Sequence, residues 1–199
     1  VVSVLALSHC ASKSKKTTPE LSRYEGKKIA LVEVDGESQS ALQMEVSLVN
    51  QLRKHGSFFL VSKKEVQDAR AAIESDQLDP VSLAKAAGAD VALRAKVLEF
   101  EALERQGYRE EDIEDSLYEK ETGKKTRKNL YKVKSLDGSV KFELVFTEVE
   151  SREERRAIAA ASDRMEAEGK TAAVRIAPKL AFLEMLSNRA FEEFFKEHR

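Results

Sequence analysis

The feature that most constrains this chain is the order of elements in its first half, where short apolar runs alternate with amphipathic stretches. Ile29-Ala30-Leu31-Val32-Glu33-Val34 is closed by Asp35-Gly36, and Phe58-Phe59-Leu60-Val61 is aromatic and branched. The first reads as a buried strand and the other as a second strand. From Asp90 to about Glu101, Val91, Leu93, Ala95 and Val97 share one face. Leu98 and Phe100 fall on the other parity, which predicts a bulge near Val97. Between the first two runs, Leu42, Val46, Val49 and Leu52 recur at helical spacing, and His55-Gly56 stops that helix. Ser62 and Glu65 have capping-box spacing ahead of Val66, Ala69 and Ile73, in a helix to about Ser75. Asp79 caps a third helix, Pro80 takes its first position, and Gly88 ends it. This alternation predicts an α/β fold with helices packed on a sheet.

The second half is less regular. Leu136-Asp137-Gly138-Ser139 carries an Asp-Gly pair, which favours a two-residue hairpin turn. That turn pairs Val133 with Phe142, Tyr131 with Leu144, Ser135 with Val140 and Lys132 with Glu143, and sets Lys134 against Lys141. Residues 151–168 read two ways. Ser151-x-x-Glu154 and the stretch from Ala157 to Ala161 favour helix locally, and an edge strand from about Arg155 to Asp163 is the alternative. Leu180, Leu183, Leu186, Ala190 and Phe194 follow helical spacing to about Glu197, with Phe182, Phe191 and Phe195 widening the stripe.

Composition narrows function. The 42% hydrophobic content supplies one core, and 34 Lys+Arg against 35 Asp+Glu leaves a net charge of −1, so nothing in the whole draws the chain to nucleic acid. With one Cys there is no disulfide framework or CxxC zinc site, and His9, His55 and His198 form no ligand pair. GxSxG, GxxxxGK[ST] and HExxH are absent from the sequence. No catalytic residue, cofactor site or metal site is therefore expected. Residues 104–128 stand out as a charged surface insertion, a solvated hairpin or loop. Its first half is acidic, with Glu110, Glu111, Asp112 and Asp115, and its second basic, with Lys124, Lys125, Arg127 and Lys128. These residues are the candidate partner-docking surface, since a two-sign surface can steer and orient a protein partner.

The N-terminus reads as an address. Val1–Leu7 resembles the end of a signal-peptide apolar segment, the sole Cys10 follows, and Ala11–Thr18 is polar. This order resembles a bacterial lipoprotein signal, with Cys10 the acylated residue. Leu7 and Ser8 match that pattern, and His9 departs from it because a small side chain is usual there. An ordinary secretory signal is the alternative. The expected organisation is a signal remnant over 1–10, a flexible tether over 11–26 and a single domain over 27–199.

Three stretches carry a family resemblance: Lys-Lys-Ile-Ala-Leu-Val from Lys27, His-Gly-Ser-Phe-Phe-Leu-Val-Ser from His55, and Leu-Ala-Lys-Ala-Ala-Gly-Ala-Asp-Val-Ala-Leu-Arg-Ala-Lys-Val from Leu83. Together they resemble the domain shared by the curli-secretion lipoprotein CsgG, the penicillin-binding-protein activator LpoB and the N-terminal domain of TolB. The match is most specific at Ala87-Gly88-Ala89-Asp90 and covers Lys27–Phe100. The resemblance implies a mixed sheet of about five to six strands with helices packed on it, and it draws residues 155–163 toward strand. It also implies a lipid-anchored, non-catalytic module binding cell-envelope proteins, at the outer membrane facing the periplasm, since Ala11 is not the Asp of inner-membrane retention. A homo-oligomer, a penicillin-binding-protein activator-like regulator and a secretion-channel component are further readings. The channel is disfavoured because the insertion lacks the alternating apolar strands of about ten residues that line a membrane barrel.

Overall fold

The computed structural model describes residues 21–55, 57–73, 79–114, 116–124, 126–169 and 176–198. Five strands form one mixed sheet: β1 (Lys28–Asp35), β2 (Phe59–Leu60), β3 (Val91–Glu114), β4 (Thr126–Glu148) and β5 (Glu154–Gly169), in the order β2-β1-β3-β4-β5. β1 runs parallel to β2 and β3, and β3, β4 and β5 are antiparallel. The bulge falls between Val97 and Glu99, as the change of parity predicts.

Helices α1 (Ser38–His55) and α5 (Lys179–Glu197) cover one face. There Met44, Leu48, Leu52, Phe182, Leu186, Phe191 and Phe195 pack against Ile29, Leu93, Phe142, Leu144 and Phe146. The other face is covered only over β1 and the start of β3, by α2 (Lys63–Ala72) and α3 (Pro80–Ala86), where Val66, Ala69, Leu83 and Ala84 meet Ala30, Val32 and Ala92. Both caps form as the sequence requires. Ser62 Oγ accepts from Glu65 N–H while Glu65 accepts from Ser62 N–H, and Asp79 accepts from Ser82 N–H.

Four sequence expectations are corrected. First, Asp137-Gly138 is not a turn: β4 runs straight through it, with Gly138 between Ala102 of β3 and Asp163 of β5. Val133 therefore faces Gly107 and Glu168, while Phe142 faces Val97 and Ala159; the Tyr131–Leu144, Ser135–Val140, Lys132–Glu143 and Lys134–Lys141 pairs do not form. The reason is packing. Leu136, Val140, Phe142, Leu144 and Phe146 share one parity and one buried face, and Gly138 lies on it where α5 crosses closest. A Cβ at Gly138 would sit 2.5 Å from Phe182 Cε1 and 2.9 Å from Leu186 Cδ1.

Second, α1 buries Ser40, Met44, Ser47, Leu48, Gln51 and Leu52, while Leu42 and Val46 are exposed. Small polar residues serve as core positions here. Ser40 Oγ donates to Glu37 O at 3.0 Å and Gln43 Nε2 donates to Ser47 Oγ at 3.3 Å. Third, the fold begins before residue 27. Leu21–Tyr24 form a 3-10 turn, both end residues are buried, Tyr24 stacks on Phe146 at 5.3 Å, and Leu21 N–H donates to His198 O. Fourth, Leu180 is half exposed and does not belong to the buried stripe of α5. Residues 154–169, ambiguous in sequence, are the edge strand; the sheet ladder with β4 outweighs local helix propensity.

Candidate functional site

The segment expected to be a charged insertion is the outer half of two very long strands. β3 has 24 residues, about 75 Å of contour at roughly 3.3 Å per residue. β5 accompanies β4 as far as Lys132, opposite Gly169; beyond that, among the described residues, Arg109–Glu114 and Thr126–Tyr131 continue as a two-stranded ribbon. The chain reverses through α4 (Ser116–Thr122), which Gly123 ends at φ +72°, its N–H donating to Glu119 O. Thr122 Oγ1 donates to Tyr118 O at 2.7 Å.

The register fixes where the candidate docking residues fall. Glu110 is opposite Leu130, Glu111 opposite Asn129, Asp112 opposite Lys128, and Ile113 opposite Arg127. Lys124 lies between α4 and β4, exposed. Asp115 and Lys125 lie outside the described residues. The acidic and basic halves are thus neighbouring columns, not separate lobes. Lys128 Nζ meets Glu110 Oε2 at 2.8 Å, and that hydrogen bond, with Asp112 adding its field, raises the Lys128 pKa. Nearer the core, Lys134 meets Glu104 at 3.7 Å, Asp137 takes both Arg105 and Arg164, and Glu166 takes both Arg164 and Arg109. Opposite charges across neighbouring strands add about 0.2–1 kcal/mol each to this register.

What these ion pairs leave uncovered is apolar. Tyr108 is 73% exposed and Leu130 63%, diagonal neighbours on one face of the ribbon. Leu103 and, on α4, Leu117 are exposed as well. The composition-based reading missed these because they are single apolar residues among charges; only the register brings Tyr108 and Leu130 together.

A second concavity lies at the other end of the sheet. β2 pairs with β1 at Lys28 and Ile29, so among the described residues β1 beyond Leu31 has no strand neighbour on that side. A groove of about 570 Å³ opens there between α1 and α2, floored by Leu31, Val34 and Leu60. Arg70 Nη2 donates to Val32 O at 3.1 Å, and Lys63 meets Glu45 at 2.7 Å. Among the described residues no group of three or more His, Cys, Asp or Glu is placed to hold a metal ion, and no helix is long and apolar enough to cross a membrane. His55 stacks near Phe195 and His198 Nδ1 lies 2.7 Å from Phe194 O, both packed against α5. Cys10 lies outside the described residues.

No family model matches the chain, and no curated protein sequence matches it either. Among solved structures, a lipoprotein, GNA1162 from Neisseria meningitidis, is similar over 85% of this chain and 97% of its own, at 10% identity and a TM-score of 0.41. A PelC dodecamer from Paraburkholderia phytofirmans aligns over 89% and 92% at 11% identity and a TM-score of 0.39. The hypothetical protein CT253 from Chlamydia trachomatis aligns over 87% and 95% at 12% identity and a TM-score of 0.35. A bacterial lipoprotein is thus among the structures this chain overlaps along most of its length. Similarity at this level leaves the function to be argued from the chain's own residues.

Proposed function

We propose that this protein is a lipid-anchored cell-envelope module that works by docking a protein partner, not by catalysis. In this reading Cys10 carries the acyl anchor, the chain faces the periplasm from the outer membrane, and the β3–β4 ribbon is the docking arm. The observation that supports it is the ribbon itself: two strands continuous with the core deliver Tyr108 and Leu130, exposed side by side, next to the Glu110–Lys128 ion pair. Aromatic and aliphatic anchors ringed by charge are what a protein-binding surface concentrates.

Two experiments test this. Tyr108→Ser with Leu130→Ser removes the apolar pair and leaves the ion pairs. Crosslinking capture from native membranes should lose the partner while circular dichroism is unchanged; undiminished capture by the folded variant refutes the arm. Separately, metabolic labelling with a fatty-acid analogue should be lost in Cys10→Ser, together with membrane retention. Persistence of both removes the anchor.

A further inference from the structure

A different surface, independent of the ribbon tip, points to a specific partner. β5 is an edge strand of 16 residues, paired among the described residues with β4 on one side only. Long edges invite pairing with another strand unless charged side chains, Pro or bulges blunt them. β5 is charged towards both ends, but it contains neither Pro nor Lys, and its centre, Ala157-Ile158-Ala159-Ala160-Ala161-Ser162, is uncharged, with Ile158 its one large side chain. Its even-numbered side chains from Glu154 to Glu166 are exposed on the sheet face that α2 and α3 leave open, while Ala157 and Ala159 are buried under α5.

We propose that β5 pairs antiparallel with β5 of a second copy of this chain, about a two-fold axis at Ala159, joining two sheets into one. The argument is charge complementarity in a single register. Centred on Ala159, Glu154 lies opposite Arg164, Arg155 opposite Asp163, Arg156 opposite Ser162, Ala157 opposite Ala161 and Ile158 opposite Ala160. The two-fold repeats each pair, so opposite charges close both ends of an uncharged centre.

Neighbouring registers lack this property. A slide of two residues one way sets Arg156 against Arg164 and Glu154 against Glu166; the other way sets Glu154 against Ser162, Arg155 against Ala161 and Arg156 against Ala160, so no opposite charges meet within β5. A slide of one residue opposes side chains from different faces. The seam also extends a ladder already present, in which Glu154 holds Arg94 and Arg156, and Arg164 holds Asp137 and Glu166. On the covered face, Arg189 of α5 reaches Asp163 at 3.0 Å, and Met185, one turn earlier on the same flank, is 43% exposed. The two-fold brings this flank of both copies beneath the seam.

The test is a charge swap on the full chain, read by sedimentation equilibrium. Glu154→Arg alone sets two arginines against each other where Glu154 had met Arg164, and Arg164→Glu alone opposes two glutamates, each twice per dimer. Either should weaken self-association by roughly tenfold or more, since like charges directly opposite are destabilising. An equimolar mixture of the two variants restores opposite charges at both ends and should recover the dimer. Hydrogen exchange on the unaltered chain needs no variant: amides between Arg156 and Ser162 should gain protection as concentration rises. A chain that stays monomeric at high concentration, single variants that associate as the parent does, or a mixture that recovers nothing overturns the proposal.

Discussion

Replacing Gly138 with Ala tests whether the centre of β4 is a packing contact or a turn. The new methyl carbon would lie 2.5 Å from Phe182 Cε1 and 2.9 Å from Leu186 Cδ1. Carbon atoms settle at about 3.5–4.0 Å, so α5 must retreat by about 1 Å or Phe182 must leave its rotamer. Neither side chain has room to swing outward, because Phe182 is 2% exposed and Leu186 is 0% exposed. Overpacking of this kind costs about 1–3 kcal/mol. The lost flexibility of the unfolded chain offsets about 0.4–1 kcal/mol of that. A net loss of about 1–2 kcal/mol should appear in urea unfolding followed by circular dichroism, with a melting temperature lower by roughly 2–4 °C per kcal/mol. Phe182→Ala alone costs about 3–5 kcal/mol, but in that background Gly138→Ala should cost clearly less, because only the Leu186 contact remains, a coupling of about 0.5–1 kcal/mol or more. A strained turn would give the same loss in both backgrounds. That result, or a Gly138→Ala protein that melts at or above the parent, refutes the close approach of α5.

Three further outcomes follow from the described contacts. Leu48→Ala should lose about 2–5 kcal/mol because Leu48 is fully buried, whereas Leu42→Ala, 60% exposed, should stay within about 0.5 kcal/mol; equal losses in thermal unfolding would reverse the assignment of the α1 face. Ser62→Ala removes one side of the α2 capping box and should cost about 1 kcal/mol in urea unfolding, with Ser62→Thr retaining most of it; an unchanged midpoint in Ser62→Ala would show the cap to be idle. At Glu148, burial opposes ionisation, but hydrogen bonds from Lys27, Ser151 and Arg23 outweigh it and hold the carboxyl below its ordinary value. Its contribution is therefore complete above the ordinary Glu value near 4.3 and is lost as pH falls through the lower folded value. Glu148→Gln should flatten the acid side of a melting-temperature profile, and parallel profiles for the two proteins would refute the assignment.

The elements that were legible in the sequence are those whose signal is local. The Ser62–Glu65 box, Asp79-Pro80, Gly88 and the parity change at Val97 each specify a backbone event within a few residues, and each is found where expected. The errors arose where a distant neighbour decides. Asp137-Gly138 has turn chemistry, but its role is set by Phe182 and Leu186, more than forty positions along the chain. The buried face of α1 is built on serines and a glutamine that a hydrophobicity pattern passes over in favour of Leu42 and Val46. The alanine-rich stretch Ala157–Ala161 favours helix on its own and forms a strand because β4 offers it a ladder. Of the candidate docking residues, sequence alone grouped the charges by sign along the chain. Pairing across the ribbon sets the two signs against each other and leaves Tyr108 and Leu130 as the exposed pair.

The unbroken run of β3 and β4 from core to tip also limits how this protein can change in length. Side chains alternate faces along both strands, and the two are locked to each other down to Glu114 and Thr126. One residue added to β3 alone would turn every side chain beyond it to the opposite face, unless a bulge absorbed it, and would shear apart Glu110 and Lys128. Growth or shrinkage of the arm therefore requires matched, even steps on both strands. The segment around α4 and Gly123, where pairing ends, is where single insertions are absorbed without rewriting the faces.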